Sequence, residues 1–69
     1  MPTPQELCKR YGAFAVEYEQ FGVTYRLGID CNWTELQATD VADALATNIT
    51  FTSVRVMHQN PKTGIWSER

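Results

Sequence analysis

Histidine occurs once in the 69 residues, at His58, and cysteine twice, at Cys8 and Cys31. Two cysteines without metal-ligand spacing exclude a disulfide scaffold and a zinc module, so no metal and no cofactor is expected. They read instead as buried or half-buried thiols, with a Cys8–Cys31 bridge as the lesser alternative. Gly22, Gly28 and Gly64 are too scattered to build a phosphate loop. Six basic residues stand against eight acidic ones, for a net charge of −2. That balance argues against a general electrostatic grip on duplex DNA, which needs a basic face. No apolar run is long enough to span a bilayer, and no charged-then-apolar leader opens the chain, so a cytoplasmic protein with no membrane partner is expected. Asn48-Ile49-Thr50 matches the glycosylation pattern, which has meaning only in a secreted chain.

What is present is a chain of one-domain length whose 43% hydrophobic content is too high for disorder. Thr3 and Glu6 have capping-box spacing, Pro4 suits a first helical position and Gly12 a stop, which predicts a short helix over 3–10. Residues 11–19 and 23–31 alternate with period two and read as two half-buried strands. Phe14, Val16 and Tyr18 share a side with Val23, Tyr25 and Leu27, so their loop must have an even number of residues. The four-residue loop Glu19–Gly22 is favoured, pairing Tyr18 with Val23, Val16 with Tyr25 and Phe14 with Leu27. A two-residue Phe21-Gly22 turn keeps the same faces and sets Glu17 opposite Arg26, but Phe suits a primed turn poorly.

Thr39 is read as a helix cap, with Thr34 and Gln37 offering an earlier start. Val41, Leu45 and Ile49 form the apolar stripe, and Ala42, Ala44 and Ala46 permit close approach to a sheet. Phe51 to Gln59 is a third strand, with Val54 and Val56 toward the helix. The loop Pro61-Lys62-Thr63-Gly64 returns the chain, with Ile65 on the core side beside Asn60 and Trp66 opposite Gln59 on the outer side. Gly22 and Gly64 should both take positive φ. Gly28 reads as a close approach or bulge. The fold class is therefore α+β: a single ββαββ domain over 1–69, with an antiparallel sheet, one main helix on one face and a short N-terminal helix.

No enzyme is expected. His58, Asp30 and the pair Glu17 and Glu19 are tied to no second catalytic group by any motif. The informative feature is the sheet face left over by the single main helix. Tyr11, Arg26, Phe51, Arg55, Met57 and Trp66 fall on it, with Ala13 and Ala15, and mixed aromatics, Met and Arg have the composition of an interface core. Three readings follow: a protein partner or a homodimer on this face, a single-stranded nucleic acid platform, or the N-terminal helix folded over it through Leu7 and Cys8. The first is preferred and the nucleic acid platform is its alternative. The element order, with its Val54-Arg55-Val56 strand, resembles small proteins of bacteria and their phages. That resemblance implies an inhibitor or accessory protein docking on a host protein.

Overall fold

The computed structural model describes residues 3–69. Thr3 accepts a hydrogen bond from the Glu6 amide and starts α1 (Pro4–Tyr11). Gly12, at φ +92°, ends it by donating its N–H to the Cys8 carbonyl at 2.8 Å. A Cβ at Gly12 would overlap the Gln59 carbonyl oxygen, so glycine is needed for close approach as well as for conformation. Tyr11 is thus the last residue of α1 and does not begin the first strand as expected.

β1 (Phe14–Gln20) pairs with β2 (Val23–Leu27), then β3 (Thr52–Gln59), which carries β4 (Trp66–Glu68). The antiparallel sheet has the order β2-β1-β3-β4, and α2 (Glu35–Ala46) packs against β1 and β3. The small α+β architecture and its four strands are those expected.

The first hairpin departs from its favoured register. It closes through the two-residue turn, pairing Gln20 with Val23, Tyr18 with Tyr25, Glu17 with Arg26 and Val16 with Leu27. Phe21 and Gly22 both have positive φ, +52° and +79°, the mark of a primed turn whose twist suits the strands. Phe21 is 87% exposed, so its side chain meets no crowding. Its backbone strain is offset by the contacts this register makes, described below.

β2 stops at Leu27 and does not run to Cys31. Gly28 turns the chain at φ +85°, and a Cβ there would overlap the Trp33 ring, which bears out the close approach. Cys31 is exposed in the following turn, and Ile29 is 41% exposed. Trp33 then bridges to Phe14 and packs against the core.

α2 begins at Thr34 rather than Thr39. Thr34 and Gln37 form a reciprocal capping box, which satisfies two amides at once. The core is Phe14, Val16 and Val56 under Ala38 and Ala42, with Val16 and Ala38 fully buried. The alanines bring α2 close, so Leu45 and Val41 are only half-buried flanks. Ile49 is 95% exposed because the helix has already ended at Ala46. Arg69 ties the C-terminal end to α2 through Glu35 at 3.2 Å and Thr39 at 3.1 Å.

The second hairpin closes as expected. Asn60 donates its N–H to the Ile65 carbonyl at 2.9 Å, Gly64 has φ +75°, and Trp66 pairs with Gln59. Ile65 does not reach the core; it is largely exposed, outside β4. Among the described residues, no helix is long and apolar enough to cross a membrane.

Candidate protein-binding surface

The sheet presents two faces, and alternation decides which residue goes where. On the face away from α2, Glu17 lies between Arg26 of β2 and Arg55 of β3. Arg26 Nε donates to Glu17 Oε2 at 2.5 Å, and Arg55 Nη2 donates to Oε1. Glu17 as a residue is only 6% exposed. The Arg26 hydrogen bond is the largest influence on it, and with the Arg55 contact it outweighs burial and holds the carboxyl below the usual carboxylate range. A second Arg55 nitrogen reaches the Ser53 carbonyl at 2.8 Å. Both arginines are therefore engaged within the protein.

Around this triad the outer face is more closed than expected. Ala13, Ala15 and Met57 are buried and Trp66 is half-buried. The short alanines of the central strand sit between longer neighbours on either side. α1 lies at the end of the sheet, where Gln5, Cys8 and Lys9 border Ala13 and Gln59 of this face. Cys8 Sγ donates to the Trp33 carbonyl at 3.6 Å, and the Tyr11 carbonyl accepts a hydrogen bond from His58 Nε2 at 2.7 Å. Burial pushes the Cys8 thiol up, away from nucleophilic thiolate. Leu7, Cys8, Phe14 and Thr34 line an open apolar crevice of about 420 Å³ between α1 and α2.

Of the six residues expected on one face, Arg26, Arg55, Met57 and Trp66 share it by register. Tyr11 belongs to α1. Phe51 is on the opposite side, because the pairing of β1 with β3 slips between Glu17 and Glu19 and Ser53 takes φ +52°. Such a bulge shifts the residues before it to the other face. Phe51 consequently meets Tyr18 edge-on, with ring centroids 4.9 Å apart.

That contact belongs to a cluster that alternation alone did not single out. Tyr18 also stacks on Tyr25 at 5.5 Å. Both stand on the α2 side of the sheet, yet Tyr25 remains 43% exposed. α2 packs over β1 and β3 and leaves β2 uncovered. Val23 and Phe21 are exposed along the same strand and turn. The sequence signal for this was the single main helix: at about 10 Å across it covers roughly two strands spaced about 4.8 Å apart, so a four-stranded sheet keeps an edge strand uncovered. Compared with known proteins, the chain matches no family model, no curated protein and no solved structure.

Proposed function

We propose that the chain is a small non-catalytic protein-interaction module. Its contact surface is the Tyr18, Tyr25 and Phe51 cluster together with the free edge of β2. The observation that carries this is a stacked tyrosine pair whose outer member, Tyr25, is left exposed on an edge strand. Rigid aromatics beside unpaired backbone groups supply both halves of strand-addition recognition: hydrogen bonds for affinity and side-chain pockets for specificity. The absence of catalytic chemistry is supported by the groups themselves. Glu17 is fixed as a carboxylate by two guanidiniums, and His58 Nε2 donates a hydrogen bond to the Tyr11 carbonyl. A single-stranded nucleic acid platform is less favoured, because Arg26 and Arg55 both already donate to Glu17. An exposed free thiol at Cys31 suits the reducing cytoplasm. An inhibitor or accessory role on a host protein remains within this reading.

The test compares affinity capture by the unaltered chain, Tyr25→Ser and Trp66→Ala, with melting temperature checked for each. A stoichiometric protein partner lost with Tyr25→Ser and retained with Trp66→Ala is the expected result. Retention by Tyr25→Ser with loss by Trp66→Ala would move the surface to the outer face and overturn the assignment.

A further inference from the structure

We propose that β2 pairs with β2 of a second copy, antiparallel about a two-fold axis at Tyr25, to make one eight-stranded sheet. This rests on the module reading above and names its partner. β2 is an edge strand of five residues, Val23-Thr24-Tyr25-Arg26-Leu27. It contains no proline and no bulge, two of the usual devices that block edge pairing, and its one charged residue, Arg26, is held by Glu17. The other edge, β4, is only three residues long and carries Glu68.

The backbone fixes which residues do the pairing. The two-residue turn makes Gln20 and Val23 a hydrogen-bonded pair, and such pairs recur at every second position. Tyr18–Tyr25 and Val16–Leu27 are then hydrogen-bonded pairs as well. The N–H and C=O groups of Thr24 and Arg26 consequently point away from β1, toward the free edge. An antiparallel strand can satisfy both residues only if they face outward groups at matching spacing. A two-fold at Tyr25 provides that, setting Thr24 opposite Arg26 of the second copy and the reverse. Each of these pairs exchanges two hydrogen bonds, giving four across the axis.

The side chains are compatible with the same register. On the α2 side, Tyr25 meets Tyr25 of the second copy at the close, non-hydrogen-bonded position. The stacked Tyr18–Tyr25 pair thereby becomes a row of four rings. Val23 faces Leu27 of the second copy. On the outer side, Arg26 stands beside Thr24 of the second copy, whose own neighbour in β1 is Glu19. Glu19 has no ion-pair partner among the described residues, and the Arg26 side chain is 47% exposed. Glu19 of the second copy thus comes within reach of Arg26, and the two Arg26 side chains, diagonal across the axis, are each already held by their own Glu17. An isologous contact of this kind closes at two copies, because each β2 edge is consumed.

Sedimentation equilibrium of the full chain from micromolar to millimolar concentration tests this. The expected result is a monomer–dimer equilibrium that weakens by at least about tenfold with Thr24→Pro. That proline removes an outward donor and leaves the β1 ladder intact. Tyr25→Lys and Tyr25→Glu give a test that does not depend on proline. Each should be monomeric alone, and the equimolar mixture should form a heterodimer, since only a two-fold at position 25 brings the new charges together. A chain monomeric throughout the range overturns the proposal. So does a dimer indifferent to Thr24→Pro, or a Lys and Glu mixture that stays monomeric. A monomer that still loses a foreign partner on Tyr25→Ser would sink the second copy while sparing the module. A β2-paired dimer with no such partner would do the reverse for any foreign occupant.

Discussion

Replacing Glu17 by Gln keeps the volume and removes only the charge that holds Arg26 and Arg55. The carboxylate side chain is 8% exposed, Arg55 24% and Arg26 47%. A hydrogen bond to a charged group contributes about 1.5–3 kcal/mol, and the well-shielded Arg55 contact falls near the middle of that range, about 2 kcal/mol. The Arg26 contact is half in water and is screened to about 0.5–1 kcal/mol. Gln also leaves two guanidiniums facing one another across β1. The sum is about 3 kcal/mol, the lower end of what stripping one partner from a buried pair costs. At about 0.05–0.15 kcal/mol per residue the whole domain has about 3–10 kcal/mol, so Glu17→Gln removes a large share. Thermal and urea unfolding at neutral pH should show it, with a melting temperature lower by about 12–24 °C. Glu19→Gln, on the same strand and face but without an ion-pair partner among the described residues, should cost under about 0.5 kcal/mol. The pH dependence is equally specific. Glu17 has a depressed carboxyl pKa when folded, so the unfolded chain binds the proton more readily. The stabilisation is complete above the unfolded value of about 4.3 and is lost as pH falls through the lower folded value. The gap between the unaltered chain and Glu17→Gln should therefore be flat near neutrality and shrink in acid. A gap below about 0.5 kcal/mol at pH 7, or one that widens in acid, would refute the reasoning.

Two further substitutions probe the backbone and the helix contact. Gly64 has φ +75° and open space around it, the nearest group to an added Cβ being Gln59 Nε2 at 3.9 Å. Gly64→Asn should cost under about 1 kcal/mol and Gly64→Val about 2 kcal/mol, since a β-branched residue tolerates that conformation least; equal midpoints in urea would argue against it. Ala38 is fully buried where α2 meets the sheet. Ala38→Leu should destabilise by about 1–3 kcal/mol through overpacking, and an unchanged melting temperature would mean the helix stands off the sheet.

Period-two alternation carried the strand faces well, because a side-chain period of two leaves little freedom once one face is buried. Val54 and Val56 flank the helix as that pattern required. The turn glycines were legible for a similar reason: Gly22 and Gly64 stand where only positive φ closes the loop. The pattern failed where one residue is inserted or removed from the count. A single bulge at Ser53 sends Phe51 to the α2 face, and nothing in Phe51-Thr52-Ser53 announces it. Arg55 explains it after the fact, since the guanidinium that holds Glu17 also holds the Ser53 carbonyl. Phe21 in a primed turn was disfavoured by local propensity, which lost to cross-strand contacts. The two-residue turn sets Glu17 opposite Arg26 and stacks Tyr18 on Tyr25; the four-residue loop would do neither. A local cost of about 1–3 kcal/mol for Phe21 in the left-handed region is outweighed by the ion pair and ring stacking that this register makes.

The same register choice links the two faces of the sheet. Closing the hairpin at Phe21-Gly22 gives Glu17 both arginines, which withdraws the outer face from anion binding. Had the hairpin closed with the four-residue loop, Val23 would pair with Tyr18 and Tyr25 with Val16. The stacked tyrosine pair would not exist, and Arg26 would face Ala15 instead of a carboxylate. The exposed aromatic cluster and the engaged arginine pair thus have one cause. A substitution that shifts the turn, such as a residue inserted between Gln20 and Phe21, should disturb both together, whereas Tyr25→Ser should disturb only the first.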